Sequence, residues 1–170
     1  MPAMLTLEAL NRMSQTAFVD ALGDVFERSR WVAERAWSAR PFTDVEILHH
    51  AMVEAVRRAT PAEQIALLCA HPDLAGKAAR AGSMTASSVA EQSAAGLDRL
   101  TDAEYERFQR LNTAYRERFG FPFIVAVRRH DQASTLVAFE TRLAHSRDVE
   151  IDTALAQVYD IARMRLDRLL

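Results

Sequence analysis

The chain has 170 residues, of which 49% are hydrophobic and 26% are charged, proportions that are typical of a soluble globular protein. The net charge of -2 at pH 7 indicates no basic face and argues against a nucleic-acid partner. A single cysteine excludes an intrachain disulfide. No apolar run approaches the roughly 20 residues of a membrane span, and residues 1–12 lack a secretory signal pattern. We therefore expect a cytoplasmic protein with no membrane partner.

Helical periodicity dominates the chain. Apolar residues recur every three or four positions, as in Phe18, Leu22, Val25 and Phe26. The pattern predicts helices near 14–28, 31–39, 44–59, 61–70, 88–98, 102–118, 134–145 and 150–169.

Capping boxes mark the starts of three of these helices. Each consists of a threonine and a glutamate three residues later, which satisfy two backbone N–H groups reciprocally. The pairs are Thr43 with Glu46, Thr60 with Glu63, and Thr101 with Glu104.

Two segments depart from the helical pattern. Residues 121–127, "FPFIVAV", have strand composition, but a lone strand has no partner and is expected to be extended among helices. Residues 71–87 are rich in Gly, Ala and Ser and too long for an idle connection, which favours a functional loop. We predict one all-α domain over 1–170, a bundle of about eight helices with an irregular central loop.

His71 is the histidine whose position is hardest to explain. Pro72 follows it directly, so the helix must end there, and the ring stands at a corner. His49 and His50 point about 100° apart on a helix, and we expect His130 and His145 to face solvent. Because no HExxH or paired cysteine spacing occurs, no metal site is predicted. Taken alone, the position favours a structural role for His71 over a functional one.

The stretch "SSVAEQSAAGL" at 87–97 is a second candidate. Ser88 and Glu91 have capping-box spacing, which is a purely structural reading. Gln92 has no part in a cap, and a helix N-terminus also suits an anionic ligand. Capping and ligand binding are compatible here. Cys69, in the apolar run "IALLCA", is expected to be a buried, inert thiol.

Two further features could contact a ligand. The backbone after Pro122 exposes amides and carbonyls that need partners, which a planar polar heterocycle would supply. Arg165 falls on the apolar side of the last predicted helix, where a charge is costly unless it is paired. Either an acidic neighbour or a ligand must balance it.

Four stretches together resemble the ureidoimidazoline decarboxylases of urate breakdown. They are "HPDLAGK", the pattern SxxEQxxAGL from Ser88 to Leu97, "RLNTAYRERFGFPFIVAV" and the closing "IARMRL". The N-terminal "LEALNRMSQTAFVDALGDVFERSRWVAERAW" followed by "RPF" is similar too, so the resemblance spans nearly the whole chain. Arg30 departs from it, since proline is expected there.

The resemblance implies an enzyme without a cofactor that converts 2-oxo-4-hydroxy-4-carboxy-5-ureidoimidazoline (OHCU) to (S)-allantoin and carbon dioxide, on an all-α fold and as a homodimer. It implies that His71 and Glu91 are the catalytic pair. The substrate contacts that it implies are Pro72, Ser88, Gln92, the backbone of Phe123, Ile124, Val125, Ala126 and Val127, and Arg165.

Substrate chemistry makes a cofactor unnecessary, because the ring C=N bond next to the carboxylated carbon can accept the electron pair that carbon dioxide leaves. Two proton movements remain, one from the 4-hydroxyl and one onto the neighbouring carbon, and a histidine suits both. Arg165 is expected to hold the ureido or ring carbonyl rather than the departing carboxylate, whose charge moves away during reaction. The alternatives are a helical module that binds without catalysis and an acid–base enzyme for a related ureido heterocycle.

Overall fold

Nine α-helices make up most of the described chain. The computed structural model describes residues 4–76 and 82–170, and no β-strand occurs among them, which confirms the all-α class. The helices are α1 Leu7–Arg12, α2 Gln15–Leu22, α3 Trp31–Ala36, α4 Val45–Arg57, α5 Pro61–Cys69, α6 Ala86–Ala94, α7 Asp102–Phe119, α8 Gln132–Leu143 and α9 Arg147–Leu169. Two short 3₁₀-helices span Trp37–Ala39 and Val127–Arg129.

The chain divides into two compact units. The first comprises Met1–Ala70 and Tyr159–Leu170, and the second comprises His71–Val158. Helix α9 contributes residues to both. None of the helices in the described ranges has the length and apolarity to cross a bilayer.

The first unit has an aliphatic core with a small aromatic centre. Helix α3 packs against α2 and α4. Phe18 of α2 stacks on Phe42 with ring centroids 6.0 Å apart, and Leu48 and Met52 of α4 are fully buried. Leu48 and Met52 lie one helical turn apart, so the periodicity seen in the sequence marks this buried face correctly.

The second unit is built around buried aromatic rings on α7, α8 and the segment that joins them. Tyr115 of α7 contacts Phe119, Phe121 and Phe123 at centroid distances of 4.6, 5.8 and 5.4 Å. Phe123 also stacks on Phe139 of α8 at 3.8 Å. The side chains of 121–127 therefore fix this segment in the core, and the expectation of an extended piece packed among helices agrees with its lack of regular structure over 122–126.

Helix starts agree with the sequence where the capping pattern is unambiguous. The capping boxes of Thr60 and Thr101 are both formed. The proposed box of Thr43 with Glu46 is wrong by one residue, because Asp44 is the N-cap and accepts from the Ile47 N–H at 2.8 Å.

Other expectations need correction. Helix α1 was not predicted, and α6 begins at Ala86, two residues before the expected start. Within the expected irregular loop 71–87, residues 77–81, including Lys77, lie outside the described residues. Cys69 is exposed rather than buried, since α5 buries Leu67 and Leu68 instead.

Candidate functional site

The buried face of helix α6 is polar. Its buried residues are Ser88, Glu91 and Gln92, with 5%, 7% and 4% of their surfaces exposed, whereas Val89 is 46% exposed. These three positions have the i, i+3, i+4 spacing of one helical face. Burying a carboxylate and an amide costs free energy unless they are hydrogen-bonded or paired. The helix thus turns chemistry-bearing groups inward, the reverse of an ordinary surface helix.

Capping does not explain these side chains. The N-cap of α6 is Thr85, whose hydroxyl accepts from the Ser88 N–H at 3.3 Å. Ser88 is therefore a residue of the first turn rather than the cap, and the Ser88–Glu91 capping box expected from the sequence is wrong. Neither side chain is the N-cap of this helix, which is Thr85.

His71 lies just beyond the end of α5 and is only 7% exposed. The chain leaves the helix where Pro72 predicts, and the side chain at this corner is buried. The residues that follow form a tight turn at Leu74 and Ala75, both of which are buried. The histidine is consequently held at the edge of an enclosed loop.

Gln92 joins this loop to α6. Its side-chain oxygen accepts from the Ala75 N–H at 2.9 Å, and its amide nitrogen donates to the Asp73 carbonyl at 3.3 Å and contacts the Met84 sulfur at 3.4 Å. The structure thus brings together the loop that carries His71 and the helix that carries Ser88 and Glu91.

Helix α7 holds the same loop from a second direction. Gln109 donates to the Ala75 carbonyl and Asn112 to the Leu74 carbonyl, each at 3.0 Å. Arg116 pairs with the Asp73 carboxylate at 2.9 Å.

The segment 123–127 is buried throughout and is held by side chains from α8 and α9. Arg142 donates to the Ile124 carbonyl at 2.5 Å, and the Gln157 side chain accepts from the Ala126 N–H at 3.0 Å. The 3₁₀-helix Val127–Arg129 packs against α6. The loop of His71, helix α6 and the segment 123–127 therefore all belong to one part of the second unit.

Arg142 is itself part of a buried charged network. Glu150, which is fully buried, accepts from the Arg142 Nε at 2.6 Å and from the Tyr115 hydroxyl at 2.5 Å. His145 Nδ1 lies 3.0 Å from the other carboxylate oxygen. Burial and the hydrogen bond to Glu150 raise the pKa of Tyr115 well above its ordinary value. Tyr115 therefore stays protonated and serves as a donor.

Arg165 belongs to the first unit, where an acidic neighbour balances it. The Glu27 carboxylate lies 2.8 Å from Nη2, and the Asp24 carbonyl accepts from Nη1 at 3.1 Å. Glu27 and Arg165 are 1% and 4% exposed. The sequence left two possible partners for this charge, an acidic neighbour or a ligand, and the structure provides the acidic neighbour, Glu27.

His130 and His145 each make a contact with a neighbouring polar side chain. His130 Nδ1 lies 2.9 Å from the Ser134 hydroxyl, and His145 contacts Glu150, so both are half-buried and the expectation that they face solvent is wrong. Over residues 4–76 and 82–170, no three His, Cys, Asp or Glu side chains are grouped to hold a metal ion.

A cavity of about 220 Å³ opens beside the loop. Its lining is mainly apolar and includes Ala75, Val89 and Gln92, but neither His71 nor Glu91.

Comparison with known proteins identifies the class. The OHCU decarboxylase family model matches residues 11–167. A 2-oxo-4-hydroxy-4-carboxy-5-ureidoimidazoline decarboxylase of Haloferax volcanii is 49% identical over 162 residues, covering 95% of this chain and 94% of its own. The protein is therefore a decarboxylase, a carboxy-lyase of urate degradation. It belongs to the OHCU decarboxylase family.

Solved structures have the same fold. An (S)-allantoin synthase superposes with a TM-score of 0.75 at 33% identity, covering 98% of this chain and 54% of that one. An OHCU decarboxylase crystallised in the presence of (S)-allantoin superposes with a TM-score of 0.70, covering 92% of this chain and 98% of that one. Its 18% identity makes that second likeness one of fold alone.

Sequence reasoning missed the residues that support the site. Gln109, Asn112 and Arg116 share one face of α7, but nothing local indicates what a polar face binds. Arg142 had a usable signal, since it follows the buried Phe139 by three residues and so falls on the same apolar face. Its partner Glu150 has the appearance of an ordinary first-turn acid.

Proposed function

We propose that this chain converts OHCU to (S)-allantoin and carbon dioxide, with His71 and Glu91 as its catalytic pair and without a cofactor. The proposed substrate contacts are Pro72, Ser88, Gln92, the backbone of 123–127 and Arg165.

The inward polar face of α6 is the observation that carries this proposal. Ser88, Glu91 and Gln92 are each less than a tenth exposed, and Gln92 is bonded directly to the loop that follows His71. An acid–base pair needs both groups removed from bulk water yet held close to a common space. A buried histidine loop joined to a buried acidic helix face meets that need.

The main chemical task of the protein in this reaction is to transfer protons to and from the substrate. When the carboxylate leaves as carbon dioxide, its electron pair forms a C=C bond between the two ring carbons, and the electrons of the C=N bond pass to the ring nitrogen, which takes up a proton. The 4-hydroxyl loses its proton as it becomes a carbonyl, and the neighbouring carbon gains one on a single face. His71 and Glu91 perform these two movements, and the face on which they lie sets the stereochemistry.

Backbone groups of the segment 123–127 suit the ureido and ring amides of the substrate. The Ile124 carbonyl and the Ala126 N–H are bonded to Arg142 and Gln157. Val125 lies between them, and within the described residues its N–H and carbonyl have no hydrogen-bond partner although the residue is 5% exposed. Buried backbone groups of this kind require a partner. A planar amide provides a donor and an acceptor together.

The pairing of Arg165 bears on its proposed role. Glu27 offsets the guanidinium charge, so the pair has little net charge with which to hold a carboxylate. A paired guanidinium still donates hydrogen bonds in a fixed planar geometry. We assign Arg165 to a carbonyl of the ureido group or the ring, where negative charge gathers as carbon dioxide leaves.

The chain is proposed to act as one OHCU decarboxylase-like domain over 1–170, as a cytoplasmic homodimer. The family model runs through both compact units, which supports a single functional domain. The dimer follows from the family resemblance, and the compartment is the expectation drawn from the sequence pattern. Sedimentation equilibrium at micromolar concentration tests the dimer, and a monomer there would contradict it.

The decisive experiment generates OHCU from urate in situ and follows optically active allantoin by circular dichroism. The wild-type chain is expected to form (S)-allantoin faster than the spontaneous reaction. His71→Asn and Glu91→Gln are expected to reduce turnover at least about a hundredfold, the range of general acid–base catalysis. Asparagine and glutamine keep the approximate volume of the buried side chains, so folding is preserved.

Matched controls replace a histidine and a carboxylate elsewhere in the same unit. His130→Asn removes a half-buried ring bonded only locally to Ser134, and Glu140→Gln neutralises an exposed acid paired with Arg107. Both are expected to retain wild-type turnover. Allantoin forming no faster than spontaneously with the wild-type chain would instead support a binding module. Full activity in His71→Asn would remove that residue from the mechanism.

A further inference from the structure

We propose that helix α7 is a positioning element for the catalytic loop. In this proposal Gln109, Asn112 and Arg116 fix the backbone of 73–75 and thereby set the place of the His71 ring. These three are positioning residues, because they act through the loop and not on the substrate. The proposal deepens the proposed function and depends on the catalytic role assigned there to His71.

The three side chains form a single row along α7. Their spacing of three and then four residues places them on one helical face. Each contacts a different residue of the loop in order: Gln109 the Ala75 carbonyl, Asn112 the Leu74 carbonyl, and Arg116 the Asp73 carboxylate, at 3.0, 3.0 and 2.9 Å. The loop thus runs antiparallel to the row and is held at every residue.

The loop conformation is one that needs support from outside. Ala75 has a φ of +50°, which is costly for a residue with a side chain. At Gly76 an added Cβ would lie 2.8 Å from the Asp73 Cβ, so the turn closes too tightly for any other residue without movement. A strained, tight turn persists only where its surroundings determine it. Gln92 and the row on α7 provide those surroundings from two helices.

Asn112 is expected to contribute most. It is 3% exposed, and among the residues that the structure describes its side-chain oxygen has no hydrogen-bond partner. Leaving a buried acceptor unpaired is unfavourable. We therefore explain an asparagine at this position by its side-chain N–H group, which donates to the Leu74 carbonyl. Arg116 is 44% exposed at its side chain, so solvent weakens its ion pair with Asp73.

The experiment compares Asn112→Leu, Arg116→Ala and Arg116→Lys with a matched control, Arg107→Ala. Arg107 lies on the same helix, is 50% exposed and pairs with Glu140 of α8 at 2.9 Å, whereas Arg116 pairs with Asp73 of the loop. Two quantities are measured: the kinetic constants with OHCU, and the exchange rate of the Ala75 amide hydrogen by NMR, with the core amide of Phe108 as internal reference.

A loop that positions His71 predicts a specific pattern. In Asn112→Leu, kcat falls about 10- to 100-fold with little change in KM, because a small displacement of a catalytic group affects chemistry more than binding. Exchange at Ala75 rises at least about tenfold while Phe108 is unchanged. Arg116→Ala has a smaller effect of the same kind, Arg116→Lys restores it in part, and Arg107→Ala changes neither quantity.

The two proposals fail in different ways. If Asn112→Leu keeps wild-type kcat and Ala75 exchange, the positioning role is refuted and the role of His71 stands. A uniform rise in exchange at Ala75 and Phe108 also refutes it, since that reports general loosening. If His71→Asn remains active, the proposed mechanism fails. The proposal that α7 positions a catalytic loop then fails as well, even if the exchange rate of the Ala75 amide rises in Asn112→Leu.

Discussion

Replacing Glu150 with Gln tests whether the buried network of the second unit supports the substrate segment. The substitution keeps the side-chain volume and hydrogen-bonding shape but removes the charge. Glu150 is fully buried and Arg142 is 6% exposed, so neither group is solvated. The guanidinium would then remain in the core without its counter-ion, with His145 unable to replace the lost negative charge.

The expected cost is large. Removing one partner of a buried ion pair destabilises a protein by about 3–5 kcal/mol, because the other charge is left uncompensated. With an unfolding slope of about 2 kcal/mol per molar urea, this corresponds to a fall of about 2 M in the unfolding midpoint. Arg142 also holds the Ile124 carbonyl, so a displaced guanidinium releases the segment 123–127 and turnover is expected to fall too.

Urea unfolding followed by far-ultraviolet circular dichroism measures the effect. Glu140→Gln is the matched control, since Glu140 pairs with Arg107 at 2.9 Å but its side chain is 59% exposed. Exposed pairs contribute about 1 kcal/mol or less, so its midpoint should barely move. A Glu150→Gln midpoint no lower than that of Glu140→Gln would refute the reasoning that this pair is a buried support.

Three further outcomes are expected. The folded state raises the pKa of Tyr115, so the stability that its protonated hydroxyl contributes is complete below about pH 10 and is lost as the pH rises toward the raised pKa. Urea unfolding midpoints measured from pH 8 to 11 should therefore fall less steeply in Tyr115→Phe than in the wild-type chain. Equal slopes in the two proteins would contradict this. Gly76→Ala should reduce kcat, because its Cβ would meet that of Asp73 at 2.8 Å, and an unchanged kcat would show that the turn adjusts freely. Dialysis against a strong chelator should leave turnover unchanged, because the ring C=N bond accepts the electron pair; activity restored only by added metal would overturn this.

Local signals in the sequence predicted local structure well. The capping boxes of Thr60 and Thr101 form as expected because both partners lie within four residues of each other. The start of α6 was misjudged because "TASS" offers several hydroxyl caps in a row, and only packing selects Thr85. Cys69 was misjudged for a related reason: a short apolar run does not reveal which of its residues face the core.

The partners of the supporting residues could not be predicted in the same way, because they are distant in sequence. Asn112 and Leu74 are 38 residues apart, and Arg142 and Ile124 are 18 apart. A polar residue on a charged helix has the same appearance whether it faces water or a loop. Only the fold distinguishes Arg116, which holds Asp73, from Arg107, which holds an exposed acid on a neighbouring helix.

Buried charge is used in two different ways in this chain. In the first unit, Glu27 balances Arg165 directly, and the pair leaves planar N–H donors with little net charge. In the second unit, Glu150 balances Arg142, which then donates to the Ile124 carbonyl and fixes the segment proposed to meet the substrate. A buried pair is seldom justified by stability alone, since apolar residues of the same volume often stabilise a core as well or better. Both pairs are therefore better explained by the donor geometry that they hold, and both arginines follow buried apolar residues by three or four positions on their helices. An arginine in that register is a sequence signal for a fixed hydrogen-bond donor.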